Sequence, residues 1–354
     1  MKNRWMKRYG LLCLLVICSL ISGSIGRILA EAAPGEEAAS SQIHTDTVFV
    51  GGMPVGIYME TDGVLVLSTQ EMKNIDGAIC EPARNYVKSG DYIVGLNQMQ
   101  IRDKDTLIKA VANLDSKEAV LQIRRKNETI EVKMEAIEVK EEEYKLGIWV
   151  RDNIQGLGTI TYLDSDGNYG ALGHGIHDID ISTLIDVAAG SLYKTRIRTI
   201  TKGENGTPGS MEGVIVYSDR NKIGTITENT EIGIYGNVDS AEEVFGELTE
   251  VKVASKDEIK TGPAKIRCSI DGEIKEYAAK ILSIDKTPVQ INKGILLQVT
   301  DEELLKKTGG IIQGMSGSPV IQNGRIVGAV THVLVNDPTR GYGIFIENML
   351  EAAE

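Results

Sequence analysis

Aromatic side chains are scarce in this chain: three Phe, two Trp and twelve Tyr make up 5% of its 354 residues. With 38 glycines beside them, this favours many short strands and turns over long helices. Histidine is rarer still, so chemistry that needs an imidazole has only His44, His174, His177 and His332 to draw on. Of the four cysteines, Cys13 and Cys18 fall in an N-terminal apolar run, and Cys80 and Cys268 are far apart. That argues against a disulfide framework, no Cys/His spacing suits zinc, and nothing in the sequence implies a cofactor or metal. Positive charge is also short. Without residues 1–30, 33 basic side chains face 50 acidic ones, a net charge of −17. An acidic body of this kind argues against nucleic acid or anionic lipid as the main partner.

There is one long uncharged stretch. Lys2, Arg4, Lys7 and Arg8 precede it, Gly10 to Gly26 carries no charge, and Arg27 closes it. Residues 1–30 read as an export segment, with a weak small-residue cleavage site at Leu29-Ala30-Glu31-Ala32. A cleaved signal and a retained signal-anchor both fit. Residues 31–44 read as a polar linker that includes His44.

What is there is mostly short strands. Val64-Leu65-Val66-Leu67, Val120-Leu121-Gln122-Ile123-Arg124 and Ile130-Glu131-Val132-Lys133-Met134 have strand character. Between them Leu107, Val111 and Leu114 recur at helical spacing behind Asp105 as a cap. Ser89-Gly90-Asp91-Tyr92-Ile93-Val94-Gly95-Leu96-Asn97 lies at the centre of residues 45–136, and this segment resembles a PDZ domain. The resemblance implies a bound peptide added as a strand, with the Val55, Gly56 and Ile57 segment as the loop that holds its carboxylate. Pro54 departs from that pattern by removing one amide. A charged connector, Glu138 to Tyr144, leads to a second region, 145–354, of short strands and glycine turns.

Gly314-Met315-Ser316-Gly317-Ser318-Pro319 is the most informative segment. A serine flanked by glycines allows a sharp turn with an exposed Oγ, and the same turn aims the Gly314 and Ser316 amides at one point as an oxyanion hole. A strand, an Asn323-Gly324 turn and a second strand follow, which predicts a hairpin. The required base is offered by His174 in Gly170-Ala171-Leu172-Gly173-His174-Gly175. A base ahead of the nucleophile, 142 residues away, suits one catalytic group on each of two barrels. The hairpin segment resembles the trypsin-like Gly-x-Ser-Gly-Gly-Pro pattern, with Ser318 in place of the second glycine. The fold expected is therefore mainly β, a small α/β PDZ-like domain with a trypsin-like double β-barrel. His177 reads as a surface residue and His332 as strand packing or a pocket wall. Ser318 reads as closing the turn, and Ser210 as a loop serine.

Block by block, the chain resembles the stage IV sporulation protein B family of signalling peptidases. The resemblance rests on Leu146-Gly147-Ile148-Trp149-Val150-Arg151-Asp152, Gly156-Leu157-Gly158-Thr159, Ala171-Leu172-Gly173-His174, and Lys306 through Pro319. It implies Ser316 as nucleophile, His174 as base and Asp301 as the associated carboxylate. Thr300-Asp301-Glu302-Glu303 also reads as a helix capping box, and Asp178, Asp180 and Asp219 stay open as alternatives. The resemblance further implies export across the forespore membrane into the intermembrane space and anchoring there at first. There the protein would cleave itself and a membrane-bound regulator of an intramembrane metalloprotease, leading to sigma-factor maturation. The competing reading is a non-catalytic PDZ scaffold on a degenerate peptidase fold. A quality-control peptidase of the exported-chaperone type would instead place its PDZ domain after the barrels.

Overall fold

Pro54–Thr69 is a strand of 16 residues that serves two cores. Val55, Ile57 and Met59 alternate into one cluster of buried side chains. At Gly63 the backbone turns to φ +89°, and a Cβ there would lie 2.7 Å from the Ile93 carbonyl oxygen, so only glycine fits. Past that point Val64 and Val66 enter a second cluster, while Leu65 stays with the first. The computed structural model describes residues 46–126 and 128–353. The expected export segment 1–30, the linker 31–44, His44, Cys13 and Cys18 lie outside the described residues. Among the described residues, no helix is long and apolar enough to cross a membrane.

Six antiparallel strands close into a barrel. Pro54–Thr69 pairs with Ile148–Leu163, which pairs with Asn168–Ala171, then Gly233–Asn237, Lys222–Thr230 and Val187–Thr201, which returns to Pro54–Thr69. The Val55–Ile57–Met59 cluster, with Ile160, Leu163, Leu172 and Leu192, fills it. A second six-stranded ring runs Gly262–Ser269, Ile274–Ile284, Ile295–Val299, Asp337–Phe345, Arg325–Leu334 and Pro319–Gln322, and closes on Gly262–Ser269. Its interior holds Ile266, Ile281, Leu297, Val320, Val330 and Phe345. Closure removes every sheet edge from each barrel, and rings this small are filled by side chains rather than by a channel.

Thr47–Val50 ties the barrels together, pairing with Ile148–Leu163 on one side and Glu250–Val253 on the other. The latter runs parallel to Arg325–Leu334 of the second barrel. Val48, Val50, Tyr162, Ile326, Ala329 and Ile344 are buried in the seam. The mainly β double barrel expected from the sequence is the observed architecture.

The small α/β body is a sheet of Val64–Leu65, Tyr92–Leu96, Glu118–Arg125 and Glu128–Glu135 with the helix Lys104–Ala112 beside it. The helix is capped by Asp103, whose carboxylate accepts the Thr106 amide at 2.6 Å, rather than by the expected Asp105, which sits in the first turn. Two expectations need correcting. The domain boundaries at 45–136 and 145–354 do not hold, because the first barrel cannot close without the start of Pro54–Thr69. The α/β body instead leaves the barrel after Thr61, and the chain rejoins it at Asn153, opposite Glu60; Ile148 to Arg151 still pair with Leu65 to Thr69 and belong to the α/β body. Nor is Val55-Gly56-Ile57 a loop. It is a central strand, with Gly158, Leu157 and Gly156 opposite it on one side and Lys194, Tyr193 and Leu192 on the other. Its amides belong to the barrel and cannot hold a peptide carboxylate.

Candidate active site

The helix Glu302–Thr308 ends at Gly309 in the left-handed conformation and delivers the chain to the serine turn. Gly314 and Gly317 both have positive φ, +99° and +90°. A Cβ on Gly317 would stand 2.1 Å from the Thr159 carbonyl oxygen and 2.5 Å from the Leu172 amide. One on Gly314 would strike the Met211 side chain at 2.7 Å. The glycines around Ser316 are therefore steric requirements as well as conformational ones.

The amides of this turn divide in two. Gln313 donates to Gly209, Met315 to Ile312, Gly317 to Val330 and Ser318 to Met315, at 2.8–3.1 Å. The Gly314 and Ser316 amides have no acceptor among the described residues. They are the two N–H groups that the sequence assigns to an oxyanion. Beside Gly314 opens a groove of about 430 Å³ lined by Leu157, Met211, Gly213, Ile215 and Gln313.

His174 follows a constrained bend. Leu172 and Gly173 are both left-handed, φ +69° and +70°, an unusual conformation for leucine. A Cβ on Gly173 would lie 2.9 Å from both Thr331 Cγ2 and Ile344 Cγ2, so the bend is seated directly on the second barrel. His174 Nδ1 lies 2.8 Å from the Gly175 carbonyl oxygen. That acceptor assigns the proton to Nδ1 and leaves the lone pair on Nε2, as a general base requires. Burial holds the imidazole pKa below its ordinary value, partly offset by the Gly175 bond.

Two threonines missed by sequence reasoning join the halves. Thr159 donates its amide to the Ser316 carbonyl at 3.1 Å and its hydroxyl to the Gly314 carbonyl at 2.9 Å, and it accepts the Leu172 amide at 3.2 Å. Thr161 donates to the Gly317 carbonyl at 2.8 Å. Both are buried. One signal was present: in Gly158-Thr159-Ile160-Thr161-Tyr162 the two hydroxyls share a strand face. Ser316 Oγ donates to the Thr331 carbonyl at 2.9 Å, and the next residue, His332, places its ring centroid 5.1 Å from that of His174.

The structure does not bring Asp301 to His174. It caps the helix Glu302–Thr308 in the place expected of Thr300, one oxygen accepting the Leu304 amide at 3.0 Å and the other the Ala278 amide at 3.1 Å. His332 stands opposite Tyr342, and Tyr342 opposite Leu296. Leu296 lies at the start of a strand that ends at Val299, and Asp301 follows beyond that far end, as the cap of the next helix. Asp178 is buried in an ion pair with Arg151, and Asp180 pairs with the same guanidinium at 2.7 Å. Asp219 begins an exposed turn. His177 lies 3.4 Å from Glu231, and Ser210 opens the strand Ser210–Ile215 beside Gln313. Ser318 is fully buried, with no partner for its hydroxyl among the described residues. Among those residues no group of three or more His, Cys, Asp or Glu is placed to hold a metal ion.

The loop after His174 is held by the α/β body. Arg124 pairs with Asp186, whose amide donates to the Tyr92 hydroxyl at 3.3 Å. From the first barrel, the Asn229 side chain accepts the Ile176 amide and donates to the Ile176 carbonyl.

Two closed barrels that present a glycine-seated serine whose turn has two free amides, and a partly buried histidine on a bend seated against the serine's barrel, define the serine peptidase class. The chain belongs to the SpoIVB peptidase S55 family, whose model matches residues 142–350. No curated protein sequence matches it. Among solved structures it is similar to the active form of the Rv3671c protease from M. tuberculosis, with 13% identity and a TM-score of 0.32 over 57% of this chain and 73% of that one. It is also similar to the HtrA-type protease AlgW with a decapeptide, at 10% identity and a TM-score of 0.33, over 57% of this chain and 52% of that one.

Proposed function

We propose that this serine peptidase is an exported endopeptidase of sporulation signalling. In this reading it cuts itself and a membrane-bound regulator of an intramembrane metalloprotease, and the second cut leads to sigma-factor maturation. Membership of the SpoIVB peptidase family supports the pathway. The observation that carries the chemistry is the pair of unengaged amides, Gly314 and Ser316, on either side of the serine turn.

The reaction is built from these groups. Ser316 Oγ leaves the Thr331 carbonyl by rotation about its side chain and gives its proton to His174 Nε2. The oxygen attacks the scissile carbonyl carbon, whose oxygen takes the negative charge and is received by the two free amides. His174 returns the proton to the leaving amine as the C–N bond breaks, which leaves an acyl group on Ser316. Water then repeats the sequence and releases the acid.

A peptide ligand of the PDZ-like body belongs elsewhere than the Val55 strand. The site that suits it is an apolar groove of about 480 Å³ between the helix residues Leu107, Ile108 and Val111 and the segment Tyr144–Ile148. The protein would act between the forespore and mother-cell membranes, anchored at first and later released.

The test is incubation of the full chain, and of Ser316→Ala, with a membrane-embedded candidate regulator, followed by mapping of new termini. Ser316-dependent cuts in both the chain and the regulator support the reading. One specific feature favours the scaffold alternative: the Ser316 hydroxyl is bonded to Thr331 rather than to His174. Absence of any Ser316-dependent cut would establish that alternative.

A further inference from the structure

The general base has no carboxylate partner among the described residues, yet it must carry a positive charge during each half-reaction. What touches it is a second imidazole. The His174 and His332 rings are 5.1 Å apart at centroid and tilted by 41°, within the range of aromatic contact and of a cation over a ring face. His332 Nδ1 is buried with no hydrogen-bond partner among the described residues. The residue before it in the strand is held in place: Thr331 donates its hydroxyl to the Asn292 carbonyl at 2.6 Å, and a Cβ on Gly173 would meet its methyl at 2.9 Å.

We propose that His332 is a positioning residue that steadies the His174 ring and stabilises its protonated form in the place usually held by a carboxylate. The inference rests on His174 being the base of the proposed reaction. A neutral imidazole offers a polarisable ring face and, with its proton on Nε2, a lone pair at the buried Nδ1. Both favour a neighbouring cation and cost nothing in charge repulsion. His332 has to remain neutral when His174 is charged, and its surroundings arrange that. Burial and the charges of His174, Lys293 and His177 hold its pKa down to about 4. Lys293 lies over the Tyr342 ring at 5.4 Å, and Tyr342 is the cross-strand neighbour of His332. His177 is offset by Glu231 at 3.4 Å.

Histidine-labelled full chain carrying Ser316→Ala, which blocks self-cleavage, is titrated by NMR. As pH falls, the His174 ring should protonate before the His332 ring. His332→Leu removes the ring face and should move the His174 midpoint down by about one pH unit, while His332→Phe should keep at least half of that stabilisation. In the active chain, His332→Leu should lower kcat about tenfold, leave KM unchanged and move the acid limb of the pH profile with the midpoint. The proposal is overturned if His332→Leu leaves the His174 midpoint in place or raises it. It is equally overturned if His332→Phe falls as far as His332→Leu, or if His332 takes its proton first. The titration needs no turnover, so a failure of the peptidase reading would appear separately, as an active-chain preparation without hydrolysis.

Discussion

The Thr159 amide donates to the Ser316 carbonyl, and the Thr159 carbonyl accepts from Leu172, two residues before His174. One residue of the first barrel thus sets the spacing between the serine turn of the second barrel and the histidine bend of its own.

Replacing Thr159 by Val keeps its shape and backbone bonds but removes the hydroxyl that satisfies the Gly314 carbonyl. Leaving that carbonyl without a partner in a buried setting should cost about 1–3 kcal/mol. Because Gly314 supplies one of the two free amides, turnover should fall by a further ~10-fold or more per folded molecule, and Thr159→Ser should restore both quantities. Denaturant melts combined with kcat on a short ester check this. A Val variant with a wild-type kcat would mean that the Thr159 hydroxyl does not hold the oxyanion turn.

Asp301 gives a different pattern. As a helix cap bonded to Leu304 and Ala278, its loss in Asp301→Ala should cost about 1–2 kcal/mol of stability. Turnover per folded molecule should change by less than ~10-fold, whereas disabling a triad carboxylate costs about 10⁴. Melting temperature and active-site-normalised kcat for Asp301→Ala and Asp301→Asn separate the roles. A loss near 10⁴ in a folded variant would return Asp301 to the chemistry.

The pH dependence follows from two depressed imidazoles. His174 must be neutral to accept the serine proton, and burial lowers its pKa, so activity should persist below pH 6.5, its ordinary value, before the acid limb begins. For stability, a histidine with a folded pKa below its unfolded one binds fewer protons in the native state. Stability is then fully present above pH ~6.5 and is lost as pH falls towards the folded value, about 4 for His332. Melting temperatures between pH 7.5 and 4 should therefore decline most below 6.5, and His332→Leu should flatten that decline. An equal slope in the variant would show that other groups govern acid stability.

Much of the architecture was legible in the chain. The Asn323-Gly324 hairpin is there, with both residues left-handed at φ +52° and +76°, because that dipeptide suits the turn between Pro319–Gln322 and Arg325–Leu334. Ser316 with its glycines and His174 with its own also stood out, since close backbone approach leaves glycine in the sequence. The Val55 segment misled for the same reason. Gly56 looked like a loop glycine, but it sits in a strand where a Cβ would meet Ile215 at 2.7 Å. The two-core strand escaped notice because Val64 to Leu67 reads as an independent strand once Val55-Gly56-Ile57 is taken as a loop. Thr159, Asn229 and His332 act through residues that are distant in sequence, and of these only Thr159 left a local sign, a hydroxyl on the same strand face as that of Thr161.

The central claim is that Ser316 is a nucleophile served by His174 and the free Gly314 and Ser316 amides. The most direct measurement is covalent labelling by a fluorophosphonate reagent, followed by peptide mass mapping. The expected result is a single adduct on Ser316, slowed by at least ~10³-fold in His174→Ala and absent in Ser316→Ala, with thermal stability close to the parent in both. An adduct on another serine, or labelling of Ser316 that is unaffected by His174→Ala, would contradict it.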